Sequence, residues 1–473
     1  MHSSIGVHSS SPATSGDDPG EPSVLGINEV MRKQNCRSHK ALGAVMELFC
    51  FPKPKLSSMC GLSPALLPRG QSVMLQLQEG LRKLQREQGF EEVRTGSLAQ
   101  AYLWHRSGHL KHFSSNMYAI TNPKPAQGAE RVSGEVDLVD SPAQTENQLE
   151  RNREDNLSCE DFATSYLLKP MSCPLHLSLF FDNSVRVGSA LPMRISEFGH
   201  VYRREVPSAL YGLLRMREFT QDDGHILCRM SQAAAEVDTF LTACQRLYKG
   251  TGFRWRDVAF RLSTRPESSQ GSDQEWAHAE GLLRSGLERL KLSFTMASGE
   301  GAFYGPKIDI LLPDVDGRLW QTGTLQVDMF SPRAFGLEPA PRSDDPLCLL
   351  HRAMCGSLER FLGLVLEYTN GHLSPWLAAT QVAVLSVGRV QTEEVEALGR
   401  RLRKAGIRVS IDTRPVHISR KLKLQLKYRT PEVWLLGATD QEKSTVTVRR
   451  GKKEGENAVL VVRFVIEVIR FLT

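Results

Sequence analysis

Residues 198–228 read FGHVYRREVPSALYGLLRMREFTQDDGHILC. An opening run ends in Arg203-Arg204-Glu205. A loop with Pro207, Ser208 and Gly212 follows, and a second basic cluster, Arg215 and Arg217, leads to Phe219 and then to Gln221-Asp222-Asp223-Gly224-His225. Guanidinium groups clamp phosphate in a planar, bidentate way. A ring such as Phe219 can stack on a purine, Asp223 can hold an ammonium or hydroxyl, and His225 can bind a metal. These groups suit one pocket that takes a nucleotide and a small polar molecule.

The rest of the chain bounds that reading. Its 473 residues allow two or three domains, and 41% apolar content allows a sizeable core. A net charge of +6 permits an RNA partner without demanding one. Nine cysteines without C-x-x-C pairs point to free, buried thiols in a reducing compartment. No apolar run approaches the ~18 residues of a membrane span. Residues 1–37 begin Ser-, Gly- and Pro-rich and read as a disordered segment with possible targeting use, although acids and a lack of early arginine speak against a transit peptide.

Apolar positions Val73, Leu77, Leu81 and Leu84 recur at helical spacing, so 72–88 is expected to be a helix, preceded by a turn at 66–70 and followed by a strand at 90–94. Residues 103–113, LWHRSGHLKHF, read on their own as a solvated basic surface. Between 122 and 163, ten acidic residues face four basic ones, and an acidic, disordered insertion is expected. Strands are expected at 166–170, 307–312 and in WQTGTLQVD, and a strand then a turn at 261–267, with helices over 231–248 and 275–290. From residue 379 strands alternate with basic helices, the pattern of an α/β layer.

Arg203-x-Glu205, the loop, and Arg215-x-Arg217-x-Phe219 resemble motif 2 of the class II aminoacyl-tRNA synthetases. The ending FTQDDGHILC, with KPMSCPLH at 169–176, GEGAFYGPK at 299–307 and LLHRAMCGSLERFLG at 349–363, resembles their threonyl members. The likeness runs from about residue 38 to the C-terminus. It implies an α/β (α+β) chain with an antiparallel-sheet catalytic domain at 38–378 and an α/β anticodon-binding domain at 379–473. The helix–strand pair at 72–94 resembles motif 1, which builds the family's homodimer; Gly96 stands where the family has a proline.

The resemblance assigns roles residue by residue. On spacing alone Cys173 reads as a buried thiol and His225 and His351 as ordinary polar histidines, since separations of 52 and 126 residues match no local zinc pattern. By family likeness the three bind Zn²⁺ and leave room for the amino group and hydroxyl of threonine. Valine, which lacks the hydroxyl, cannot chelate; serine still can, and only a methyl, ~1–3 kcal/mol, tells it apart. Threonine contacts are implied for Met171, Gln221, Asp223, Ala302, Tyr304 and Ser357. ATP contacts are implied for Arg203, Glu205, Arg215, Phe219, Gln326 and Arg360, with Mg²⁺ on the phosphates and Lys307 near the adenylate. Gln321 is expected beside the ligand as well. His109 matches a histidine implicated in deprotonating the tRNA's terminal ribose, a task that suits an imidazole neutral near pH 7. Lys423, Glu442 and Arg449 match positions that read anticodon bases.

The implied activity is charging tRNA(Thr) with threonine at the expense of ATP. The alternative is a synthetase-like RNA-binding or regulatory protein that no longer charges tRNA. Only about 37 residues precede the likeness, so the N-terminal editing domains of longer members are not expected. That short form resembles fungal mitochondrial members and suggests the mitochondrial matrix, with the cytoplasm as the alternative.

Overall fold

The computed structural model describes residues 37–51, 63–120, 166–181, 191–337, 344–388, 392–443, 445–450 and 459–462. The expected N-terminal segment, all but its residue 37, and the expected insertion at 122–163 lie outside them.

The described chain opens on α1 (His39–Met46), whose N-cap Ser38 accepts from the Ala41 N–H. A short antiparallel pair, β1 (Phe49–Cys50) and β2 (Ala65–Leu66), leads into α2 (Pro68–Glu87). The turn expected at 66–70 is in fact the beginning of this helix. Pro68 sits in the first turn, where its missing N–H would have no partner anyway and its fixed φ suits the helix. Gly70 is held there by the Leu48 carbonyl, which would lie 1.8 Å from any Cβ. The strand expected at 90–94 shrinks to β3 (Glu91–Glu92).

Three short strands, β4 (Leu98–Gln100), β5 (Ala119–Ile120) and β6 (Tyr166–Leu168), form a small sheet in the order β4-β6-β5. Helices α3 (Ala101–Arg106) and α4 (His109–Phe113) lie between the first two, and α5 (Cys173–Phe181) follows the third.

The main sheet is built from β7 (Met193–Tyr202), β8 (Glu218–Arg229), β9 (Ala259–Ser263), β10 (Phe294–Ala297), β11 (Lys307–Pro313), β12 (Leu319–Asp328) and β13 (Leu347–Ser357), with β3 at one edge. Its order is β10-β9-β11-β12-β13-β8-β7-β3, and only the two outermost pairs are parallel. Every residue of β13 but the last is buried, as a central strand covered on both faces requires. One face carries α2, α6 (Met230–Thr251) and α8 (Leu358–Tyr368), whose Phe240, Leu241, Phe361 and Leu362 meet Ile310, Leu325 and Leu350 of the sheet. Burying each such side chain contributes roughly 1.5–3 kcal/mol. On the other face α5 packs Leu177 and Phe180 against Ile195, Leu227 and Leu349. Helix α7 (Asp273–Arg289) starts from a capping box between Ser272 and Glu275.

A second sheet, β14 (Val382–Ser386), β15 (Val409–Asp412), β16 (Glu432–Leu436), β17 (Val446–Arg450) and β18 (Val459–Val462), has the order β15-β14-β16-β17-β18. Its first three strands are parallel and the others antiparallel. Helices α9 (Thr392–Lys404), α10 (Ile418–Lys427) and α11 (Ala438–Glu442) alternate with them. Trp434 and Val384 sit in the core on one face, Leu385 and Val433 on the other.

One carboxylate joins three parts of the first sheet. Glu367 of α8 accepts from the His39 backbone N–H at 2.8 Å and from His39 Nδ1 at 2.6 Å through Oε1, and from the Val315 N–H at 2.7 Å through Oε2. The same His39 accepts the Leu213 N–H on Nε2 and so anchors the loop that ends at β8. His39 and Glu367 are fully buried. Replacing Glu367 with alanine leaves two buried donors and the half-buried Val315 N–H without an acceptor; urea denaturation should show a loss of about 3–5 kcal/mol, and a smaller loss for Glu367→Gln.

Candidate active site

The register of the main sheet brings the candidate residues together. His225 on β8 stands opposite Ile195 on β7 and His351 on β13, and His351 stands opposite Gln326 on β12. Two residues along, on the same face, Asp223 stands opposite Glu197 and Ala353, and Ala353 opposite Thr324. Over this face lie the N-terminal end of α5, with Cys173, and the tight connection that carries Tyr304. A cavity of about 110 Å³ opens between them, lined by Met171, Cys173, Arg203, Gln221, Asp223, His225, Tyr304, Thr324, Gln326 and His351. At roughly 30 Å³ per water, that is the scale of a small amino acid rather than a nucleotide.

At its base Cys173, His225 and His351 are all buried, and each offers a ligand atom within 4.8 Å of the other two. Among the described residues this is the one such cluster. His225 Nε2 lies 3.1 Å from His351 Nδ1, and His351 Nε2 lies 2.8 Å from Asp328 Oδ2. Asp328 Oδ1 in turn accepts from the Phe330 and Ser331 N–H groups. Burial, with His176 and His351 alongside, pushes the His225 imidazole well below its usual range, so it is neutral with a lone pair to offer. Burial raises the Cys173 thiol well above its usual range. A thiolate there needs a cation beside it, and this donor set of one sulfur and two imidazoles fits zinc with a position left open.

Asp223 accepts from the Ser172 N–H at 3.3 Å and from Gln221 Nε2 at 3.2 Å, and burial raises its carboxyl. Tyr304 stacks on His351 and donates to Gln326 Oε1 at 2.6 Å. His109, expected from its own stretch to be solvated, is buried against Trp104 and Phe303. Its pKa falls to about 4, chiefly through burial and then through His351. The Ser107 hydroxyl donates to the Trp104 carbonyl, so His109 Nδ1 donates to Ser107 Oγ at 2.8 Å. That leaves Nε2 free to accept, 3.8 Å from Cys173 Sγ.

At one edge of the cavity, from Arg203 outward, the charge turns positive. Arg203 donates to the Pro170 carbonyl and lies 5.1 Å from the centre of the Phe219 ring. Arg215 pairs with Glu205 at 2.8 Å. Arg360 donates to the Leu214 and Gln321 carbonyls, and its pKa falls to about 10, first through burial and then through Arg203 and Arg215. A guanidinium lowered by two neighbouring guanidinium groups marks a place where an anion is favoured.

Other candidates have different partners. Ser357 caps α8 by accepting from the Arg360 N–H and donates to Glu359, so its hydroxyl serves the helix rather than the cavity. Lys307 pairs with Asp309 at 3.0 Å, and Gln321 donates to Asp309. Ala302 forms a tight bridge with Gly305. Lys423, Glu442 and Arg449 are exposed on α10, α11 and β17. Three residues at the site escaped the sequence reading: Asp328, Thr324 and His176. The last stands three positions after Cys173 on α5, a C-x-x-H spacing that was there to be seen.

Behind the site sits Glu197. Burial opposes its ionisation, but hydrogen bonds from His176, Thr95 and Lys169 outweigh that and bring the carboxyl to about 2. A carboxyl lowered on folding adds stability above about pH 4.5 and loses it as pH falls from about 4.5 to 2. In acid titrations of the metal-free protein, Glu197→Gln should therefore flatten the decline in unfolding free energy across that window.

Comparison with known proteins identifies the family. The tRNA synthetase class II core domain family (G, H, P, S and T) matches residues 157–369, and an anticodon binding domain family matches residues 381–471. The chain is similar to a threonine–tRNA ligase of Herminiimonas arsenicoxydans, 34% identical over 418 residues and 87% of this chain. It spans 58% of that relative's length. A solved structure from Cryptosporidium parvum, described as the RNA binding domain of threonyl-tRNA synthetase, is 30% identical, with a TM-score of 0.74 over 92% of this chain and 97% of its own. A putative threonyl-tRNA synthetase from Aeropyrum pernix is 25% identical, with a TM-score of 0.73 over 92% of this chain and 95% of its own. The fold, the site and these relatives together place the chain in the class II aminoacyl-tRNA synthetase family, among its threonyl members.

Proposed function

We propose that the chain activates threonine with ATP and transfers it to tRNA(Thr). The observation that carries this is the buried Cys173, His225 and His351 cluster beside Asp223, in a cavity the size of a small amino acid. Cys173, His225 and His351 would hold zinc, which would supply a Lewis acid for the amino group and hydroxyl of threonine. Asp223 accepts from the hydroxyl, and Tyr304 and Gln221 close the walls. An isosteric side chain without the hydroxyl leaves Asp223 buried and unpaired, which costs far more than a missing methyl.

The nucleotide lies toward the arginines, with Mg²⁺ accompanying its phosphates. Phe219 stacks on the adenine, and Glu205, steadied by Arg215, faces the adenine amino group. Arg203 grips the α-phosphate, and Arg360 meets the outer phosphates. The threonine carboxylate attacks the α-phosphorus, the bond to the bridging oxygen breaks, and pyrophosphate leaves. Arg203 and Arg360 stabilise the charge that builds during that step. In the second step a ribose hydroxyl of the tRNA attacks the threonyl carbonyl, AMP leaves, and His109 Nε2 takes the hydroxyl proton.

The exposed Lys423, Glu442 and Arg449 face the anticodon in this reading. A homodimer through α2 and β3 belongs to the same proposal, as does a mitochondrial location; both rest on resemblance and are checked by light scattering and by imaging of the tagged protein.

Threonine-dependent ATP–pyrophosphate exchange is the direct test. Strong exchange with threonine, weaker with serine and none with valine is expected. Arg203→Ala should lower it about 10²–10³-fold. Lys423→Ala with Arg449→Ala should leave exchange intact and slow tRNA charging. A folded, zinc-loaded protein without exchange for any amino acid would overturn the reading in favour of an RNA-binding relative.

A further inference from the structure

The cavity's lining ends at His225, but the chain of buried polar groups does not. His225 Nδ1, on the side of the ring away from His351, lies 2.8 Å from His176 Nδ1. His176 Nε2 lies 3.0 Å from Glu197 Oε2. Glu197 Oε1 accepts from Lys169 Nζ at 2.9 Å and from the Thr95 N–H at 3.0 Å, and Oε2 also accepts from Thr95 Oγ1 at 2.8 Å. None of the side chains of Lys169, His176, Glu197 and His225 exceeds 3% exposure, and the first three do not line the cavity.

We propose that Lys169, Glu197 and His176 form a positioning chain that fixes the tautomer of His225, so that Nε2 is presented bare to the metal. This rests on the zinc reading above but is derived from the opposite end. An ionised carboxylate only accepts, so His176 Nε2 must carry the proton it donates to Glu197. A neutral imidazole has one N–H, so His176 Nδ1 must accept. His225 Nδ1 must then be the donor, which leaves Nε2, the nitrogen that faces His351 Nδ1, with its lone pair. Lys169 Nζ, 2.9 Å from Glu197 Oε1, is the cation that faces this carboxylate. An imidazolium at His176 would donate from both nitrogens, invert the order and put a proton where the metal belongs.

The second ligand is treated the same way with one link fewer. Asp328 fixes the proton on His351 Nε2 and bares Nδ1. Both imidazole ligands are thus backed by a carboxylate, one directly and one through a second imidazole. The local sequence explains why the longer chain fits. Cys173 and His176 are three apart on α5 and share a face, so the helix that delivers the sulfur ligand also delivers the orienting ring. Glu197 stands opposite Asp223 in the β7–β8 register, one row from His225, within reach of that ring.

The test uses the full chain with His176→Leu, His176→Gln and Glu197→Gln. Zinc affinity is measured by chelator competition, and the His225 tautomer by ¹⁵N shifts in the metal-free protein. Wild type should hold His225 as the Nδ1–H form. His176→Leu should weaken zinc 10–100-fold and mix the tautomers. His176→Gln, whose amide oxygen can accept from His225, should recover most of the affinity, and Glu197→Gln should fall between. The melting temperature of each metal-free variant separates stability from ligand tuning, since a merely structural role would lower it and leave the affinity of the folded fraction unchanged. Unchanged zinc affinity in His176→Leu, or an Nε2–H His225 in wild type, would overturn the chain. A wild type that binds no zinc yet holds the Nδ1–H form would overturn only the zinc reading.

Discussion

Everything at the site depends on the hydrogen-bond register of four antiparallel strands, β7, β8, β13 and β12. One row holds Ile195, His225, His351 and Gln326, and the next on that face holds Glu197, Asp223, Ala353 and Thr324. A slip of one residue in any strand would send its contribution to the opposite face, because side chains alternate with period two. The adjacent acids Asp222 and Asp223 show this division. Asp223 faces the cavity, whereas Asp222 turns the other way and accepts from the Met354 and Cys355 N–H groups. Burial raises Asp222 to about 7 against those bonds and the nearby Arg352. There it pins the irregularity in β13 between Ala353 and Ser357. Gly356 completes the bend at φ +64°, where a Cβ would come within 2.3 Å of the Thr322 carbonyl.

On that scaffold the charges separate. Asp223, Asp328 and Glu197 gather at the cluster of imidazoles and sulfur, while Arg203, Arg215 and Arg360 gather at the other end of the same strands. A cationic centre is stabilised at one end and a polyanion at the other, so a substrate with an ammonium group and a carboxylate has one favoured direction. In the proposed reaction its carboxylate would point toward the arginines, as an in-line attack on a bound phosphate would require. The acidic end of this polarity comes from buried groups and is therefore little screened by salt, whereas Arg215 at the other end is exposed.

Much of this was legible in the sequence, and what was not has physical reasons. The arginines, Asp223 and His225 fall within one stretch, and the resemblance named Cys173 and His351 although their separations carry no metal pattern; only strand pairing joins them. His109 alone resembled a surface histidine because its burial comes from Phe303, far along the chain. Helix α2 was read to begin too late because Pro68 and Gly70 look like turn residues, and nothing local reveals that a first-turn proline loses no hydrogen bond. Ser357 carried a site label, but a serine before Leu-Glu-Arg is also an N-cap, and the helix claims the hydroxyl. His176 went unread because its role depends on Glu197, a residue whose partners lie on three different elements.

The two sheets are joined by polar contacts more than by a shared core. Arg408 donates to the carbonyls of Ala378, Pro375 and Trp376 and to Gln76 of α2. Tyr428, just after α10, donates to Glu47, which also pairs with Lys427. Each exposed ion pair of this kind contributes little alone. A guanidinium with four acceptors is different, because it fixes direction as well as distance. Three of its acceptors are backbone carbonyls of the segment between α8 and β14, so that connecting segment sets where the second sheet begins. Lys427, at the end of the α10 that also carries Lys423, and Tyr428 just beyond it tie that helix to Glu47 at the end of α1, and α1 is the helix that Glu367 of α8 holds through His39.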